Sequence, residues 1–188
     1  MDFLSSLQNY VPFDAIDAES KQFIIDFYNK HDGNIFTRDN SEGHMCACCW
    51  VVNPNRDKVL MAHHNLFNSF AWMGGHADGD TDLARVARKE LEEESGLVHY
   101  RQFPDIFLTC ILGSEAHVKN GRIVENHQHP VFVYLFEADE QERVRPQEGE
   151  NTSVKWLSAE NIAEFMSMKE QEIVLSIYKR VMDKVRHL

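Results

Sequence analysis

GGHADGDTDLARVARKELEEESGL, residues Gly74 to Leu97, carries a glycine pair, a short predicted helix over 82–95 and a closing glycine, Gly96. The helix holds Glu90, Glu93 and Glu94 at i, i+3 and i+4, the spacing that sets side chains side by side. With Leu83 at zero and ~100° per residue, Val86, Ala87 and Leu91 fall within about 80° of it. The three glutamates fall on the same stripe, also within about 80°. Arg85, Arg88, Lys89 and Glu92 point the other way, as a solvated face does. The helix therefore packs by an apolar face whose last turn is acidic. Carboxylates turned inward repel one another and are costly to desolvate. A hard divalent cation with oxygen ligands, Mg2+ or Mn2+, relieves both costs.

Composition sets the wider frame. The chain has 188 residues, 43% hydrophobic and 26% charged, the profile of one globular domain with a sizeable core. A net charge of −11 argues against nucleic acid and anionic membrane as partners. It leaves room for a phosphorylated small molecule, because bound metal inverts the sign locally. The start, MDFLSSLQNY, lacks the basic and apolar regions of a signal peptide, and no run approaches a membrane span, so a cytoplasmic location is expected.

Two N-terminal helices are predicted near 2–10 and 15–31, the second with Phe23, Ile24, Phe27 and Tyr28 at helical spacing. HMCACCWVV and VLMAHH read as strands joined by the turn NPNRD. FNSFAWM reads as a short strand or edge segment before the glycine pair, with Phe70 and Trp72 as core aromatics unless one of them stacks on a base. Segments 101–113, 130–138 and 153–157 are further strands, and helices near 158–166 and 169–187 close the chain. The last carries Ile173, Val174, Ile177, Tyr178, Val181 and Val185, a stripe for core packing or a dimer contact. Period-two alternation puts His44, Cys46 and Cys48 on one face of their strand and Cys49 on the other. The four cysteines read as buried thiols in preference to a zinc site with His44.

The motif resembles that of the Nudix hydrolases: Gly, five residues, Glu, seven residues, Arg-Glu, an aliphatic, any residue, Glu-Glu, any residue, Gly, an aliphatic. Gly75, Glu90, Leu91, Glu93, Glu94, Gly96 and Leu97 match in register. Thr81 stands at the first glutamate and Lys89 at the arginine, a pair thought to brace the loop in the family; Asp80 or Asp82 is the expected substitute partner of Lys89. The resemblance implies an α/β fold of the Nudix α/β/α sandwich type with a mixed sheet. The chain would be a single domain over 1–188: a helical extension over 1–35, a core over 44–157 and C-terminal helices over 158–188. It implies metal-dependent hydrolysis of a diphosphate linkage in a nucleoside diphosphate derivative or related metabolite.

Glu90, Glu93, Glu94 and Lys89 are then the catalytic set, with Glu90, Glu93, Glu94 and Glu150 as metal ligands. Glu90 and Glu94 are read mainly as ligands and Glu93 as ligand or base. Gly74, Gly75 and His76 are expected at the substrate. Glu150, in the polar loop 139–151 just before a strand, sits where many family members place an additional acid. His127 and His129 alternate on one face just before the strand that starts at Pro130 and are candidates for metal or substrate, while His63 and His64 end a strand. A homodimer is compatible with the family and with the C-terminal stripe.

Two other functions are open. IVENHQHPVFVY, residues 123–134, and the glycine-histidine pair resemble isopentenyl-diphosphate isomerase, which raises Glu125 and His127 as ligands. Against that reading, Gly74 stands where the isomerase needs a cysteine. A Nudix-fold sensor that binds a nucleotide or sugar without cleaving it is the other, and the retained acidic cluster argues against it.

Overall fold

The structure, a computed structural model, describes residues 2–65, 68–114, 117–119, 122–124, 126–166 and 171–188. Two helices, α1 (Phe3–Asn9) and α2 (Ala15–Lys30), precede strands β1 (Cys46–Val52), β2 (Lys58–His64), β3 (Ser69–Ala71) and β4 (Met73–His76). Helix α3 (Leu83–Ser95) follows, then β5 (Arg101–Gln102), β6 (Leu108–Ser114), β7 (His117–Lys119), β8 (Arg122–Val124), β9 (His127–Glu137) and β10 (Asn151–Ser158). A 3₁₀ turn over Ile162–Phe165 and helix α4 (Gln171–Arg186) end the chain.

Eight strands form one sheet with the central order β10-β2-β1-β9-β5. Strand β3 pairs with β2, β4 with β1 and β6 with β9. Only the β1–β9 pair is parallel among these, so the sheet is mixed. Both central strands are long apolar runs, as strands covered on two faces must be. Ala47, Cys49 and Val51 face a core with Leu60, Ala62, Phe132, Tyr134, α1, α2 and α3. Cys46, Cys48, Trp50 and Val52 face the other core, with Val131, Val133, Leu135 and α4. The helices thus cover both faces, the α/β/α arrangement, and the cysteines alternate as period two requires. All four are free and buried.

Turn chemistry sets the β1–β2 hairpin. The Asn53 side-chain oxygen accepts from the Asp57 and Lys58 amides at 3.1 and 3.0 Å, closing the loop on itself. Of the C-terminal stripe, Ile177, Tyr178, Val181 and Val185 are buried in the second core, whereas Ile173 is exposed. Core packing is therefore what most of that stripe does.

Several boundaries differ from expectation. The strand anticipated over 101–113 is two strands, because Pro104 interrupts it and residues 103–107 are irregular. Strand β9 begins at His127 instead of 130, since β6 extends far enough to pair Ser114 with His127. The helix anticipated near 158–166 is only the 3₁₀ turn: β10 runs to Ser158 and the Ala159 amide still bonds Asp57 O at 2.9 Å, so the first residues of that segment belong to the sheet edge. The β7–β8 hairpin, a separate two-stranded sheet, was not anticipated.

Candidate active site

Helix α3 owes its ends to local chemistry. The Asp82 side chain caps the first turn by accepting from the Arg85 amide at 3.0 Å. Gly96 closes the last turn at φ 65°, a left-handed conformation that favours glycine, and its N–H donates to Glu92 O at 2.9 Å. Leu83, Val86, Ala87 and Leu91 are buried, as the stripe predicts.

The glycine pair belongs to a strand and not to a loop. Gly75 and Gly74 lie opposite Ala47 and Cys48 in the β1–β4 ladder. A Cβ on Gly74 would stand 2.5 Å from Ala47 O, and one on Gly75 would stand 2.5 Å from the Glu90 carboxyl carbon. Both positions therefore require glycine for close approach, the first to backbone and the second to the acid.

The three motif glutamates differ in environment. Glu94 is buried; its Oε1 accepts from the Gly74 N–H at 2.8 Å, and His64 Nε2 stands 3.5 Å from its Oε2. Among the described residues, Oε2 accepts no hydrogen bond. Burial pushes the Glu94 carboxyl up to about 8, against the Gly74 N–H and with the fields of Glu90 and Glu150. Burial also raises Glu90, which stands beside the Lys89 ammonium at 3.7 Å. Glu93, at the edge of the stripe, is half exposed and pairs with Lys89 at 3.2 Å. Lys89 thus pairs with the acids of its own helix. The expected Asp80 or Asp82 partner is not found: Asp80 is held by Arg85 at 2.6 and 2.7 Å, and Asp82 is the helix cap. Glu150 is exposed, anchored by the Asn65 amide to its carbonyl at 2.9 Å, and its charge reaches Glu90, Glu94 and His64.

A divalent cation fits this set. Glu94 offers a buried carboxylate oxygen without a hydrogen bond, and Glu90 is cradled against a glycine that leaves room only for it. A buried acid lacking a donor is costly unless something positive approaches. Glu90, half-buried, and Glu94, buried, are the two acids that could hold such an ion, and the charges of Glu93 and Glu150 act on Glu90.

His76 takes another place. It is paired with Cys46 in the β1–β4 ladder, so its side chain leaves the face from which Gly75 meets Glu90. It joins His44, His127 and His129 instead, which the strand expectation for His127 and His129 did not foresee as one group. Two neighbours of Glu94, His64 and Asn151, had no motif to flag them; Asn151 Nδ2 donates to Glu94 O at 3.2 Å. Period two along Leu60, Ala62 and His64 is the only signal that turns His64 toward α3. Trp72 is buried and Phe70 half-buried, so both are packing aromatics. Glu125 lies outside the described residues.

Residues 42–176 match the NUDIX domain family, and the chain belongs to the Nudix hydrolase family. No curated protein matches it. Its fold is similar to a dihydroneopterin triphosphate pyrophosphohydrolase from E. coli, at TM-score 0.57 and 12% identity over 82% of this chain and 100% of that one. An Ap4A hydrolase from C. elegans, in a binary complex, aligns at TM-score 0.56 and 15% identity over 77% and 98%. A NUDIX family hydrolase from Clostridium perfringens aligns at 0.55 and 20% identity over 76% and 97%. Among the described residues no helix is long and apolar enough to cross a membrane.

Proposed function

We propose that this chain is a metal-dependent hydrolase of the diphosphate linkage in a nucleoside diphosphate derivative or a related small phosphorylated metabolite. The observation that carries the reading is Glu94, a buried carboxylate fixed through one oxygen by the Gly74 N–H and offering the other beside Glu90. Mg2+ or Mn2+ would be held by Glu90 and Glu94, and when bound it supplies charge neutralisation at the phosphates and a more acidic water.

The chain's own groups do the rest. The Gly74 N–H and the packing of Glu90 on Gly75 fix both carboxylates before substrate arrives, so little reorganisation is left for the reaction. Glu93, half exposed and paired with Lys89 at 3.2 Å, is the acid we read as ligand or as the base that takes a proton from the attacking water. Glu150 adds a further acid at the rim. Gly74 and Gly75 keep the β4 backbone bare, which lets a phosphorylated ligand approach it closely.

Proteins of similar fold act on such molecules: the E. coli one is a dihydroneopterin triphosphate pyrophosphohydrolase and the C. elegans one an Ap4A hydrolase. The isomerase alternative gains nothing from the site, since no thiol occupies position 74 and Cys48 is buried beneath it.

The test is turnover of a panel of nucleoside diphosphate derivatives and isopentenyl diphosphate with Mg2+ or Mn2+, for the wild type and Glu94→Gln. We expect phosphate or pyrophosphate release that falls at least ~100-fold in the variant, about 2.7 kcal/mol at the transition state. Tight binding of one compound without release would make the chain a sensor, and an isomerised prenyl diphosphate would make it an isomerase. Full activity in Glu94→Gln would remove the carboxylate from the mechanism.

A further inference from the structure

The sheet carries a second group of donors on the face opposite the glutamates. The His44 ring lies with its centroid 4.8, 5.0 and 4.9 Å from those of His76, His127 and His129. His127 Nε2 and His76 Nε2 stand 3.0 and 3.4 Å from His129 Nε2. One donor atom each from His44, His127 and His129 lie within 4.8 Å of one another, and so do those of Cys46, His76 and His129. Bonds of ~2.0–2.1 Å at a tetrahedral angle put ligand nitrogens about 3.3 Å apart, the spacing that these rings approach.

Backbone geometry builds the group. Gly43 bridges Gln128, where a Cβ would stand 2.4 Å from Gln128 O, and the His44 N–H donates to the same oxygen at 3.1 Å. That close approach sets His44 against the two histidines flanking Gln128 on β9. Strand β4 brings His76 from the other side, opposite Cys46. His44 is 6% exposed, and among the described residues its ring nitrogens make no hydrogen bond of ordinary geometry, although the Asn40 backbone lies close enough to act on the ring. Two nitrogens without such a bond in one buried ring are unusual, because buried polar groups are normally paired. Arg38 stands near, but Asp78 holds it through two bonds of 2.6 and 2.7 Å, so the pair brings little net charge.

We propose that His44, His127 and His129 bind one late first-row divalent cation of the zinc class, with His76 and Cys46 on the remaining side. Imidazole nitrogen and thiol sulfur suit Zn2+ or Co2+ and not Mg2+, so this site and the glutamate site take different metals. It does not depend on the glutamates turning over a substrate.

The test uses the full chain, stripped of metal with a chelator and titrated with Co2+. One equivalent is expected to give the intense visible bands of four-coordinate Co2+. Zn2+ should displace them and millimolar Mg2+ should not. His129→Gln, the residue common to both donor sets, should abolish the bands, and His127→Gln, made in parallel in case the first variant does not fold, should do the same. The double variant Glu90→Gln/Glu94→Gln should keep them, which separates this site from the hydrolytic one. A wild type without bands overturns the proposal. So do bands that survive both folded histidine variants, or bands lost with the glutamates and kept without His129.

Discussion

At the scale of single residues, the two glycines of β4 do different work. The nearest atoms to a Cβ on Gly75 would be the carboxylate end of Glu90, at 2.5 to 2.8 Å, and a flexible side chain can move aside. Gly75→Ala should therefore fold and keep most of its stability while displacing Glu90, a ligand in the proposed site. We expect the apparent Mg2+ affinity to fall roughly 10-fold, the lower range for disturbing groups that hold a ligand; an activity titration with metal reads it. A Cβ on Gly74 would instead meet backbone, Ala47 O at 2.5 Å and Cys48 Cα at 2.7 Å. Backbone cannot yield without loosening the β1–β4 ladder, so Gly74→Ala should cost about 1–3 kcal/mol in urea unfolding, the range for overpacking. Equal stability of the two variants would refute the distinction.

At the scale of elements, what could be read from the sequence was what is local. Helix α3 shows its own stop in Gly96 and its own face in the Leu83, Val86, Ala87 and Leu91 stripe, so its extent and its apolar burial were legible; that Asp82 caps it and that Glu93, expected to face inward, is exposed were not. The alternation of Cys46, Cys48 and Cys49 was legible for the same reason. The position of His64 beside Glu94, and of His76 beside His129, was not. Each depends on which strands become neighbours and in what register, and no spacing within one strand encodes that. The exchange of partner at Lys89 is a similar case: Arg85 is one turn nearer Asp80 and takes it in a two-pronged bond, leaving Lys89 to the glutamates.

Helices α2 and α4 meet through one pair that tests the outer layers. Asp14 caps α2 by accepting from the Asp17 amide at 2.8 Å and holds Arg180 of α4 through bonds of 2.6 and 2.8 Å. Partial burial pushes the Asp14 carboxyl up, but Arg180 and the Asp17 N–H outweigh it and hold it below its ordinary 3.8. The folded state thus prefers the charged form. Its contribution is complete above the unfolded value and is lost as pH falls through the lowered one. Asp14→Asn keeps an oxygen for the cap and removes the charge. It should cost about 1 kcal/mol at pH 7, and the difference from wild type should shrink below about pH 4. Chemical denaturation at pH 7 and pH 3 measures both numbers; a loss that does not change with pH would assign the effect to the cap alone.

Taken as a whole, the molecule ties its far helix to its site through the sheet. Tyr178 of α4 is fully buried, lies 5.1 and 4.9 Å from the rings of Trp50 and Trp72, and accepts from the Trp72 N–H at 3.0 Å. Trp72 is the residue between β3 and β4, two positions before Gly74, whose N–H holds Glu94. The chain leading to Gly74 is therefore pinned from one core while Gly74 itself meets Glu94 from the other. Tyr178→Phe removes only the acceptor oxygen and leaves the Trp72 N–H buried without it. The expected loss is about 1–3 kcal/mol, the penalty for an unsatisfied buried donor. Because the freed strand leads directly to Gly74, the same variant should also weaken metal-dependent turnover, although its ring is on the opposite side of the sheet from Glu94. Unfolding by urea and turnover at several metal concentrations, measured on one preparation, decide the matter. Lost stability with unchanged metal dependence would mean that β4 is held in place by its ladder with β1 alone.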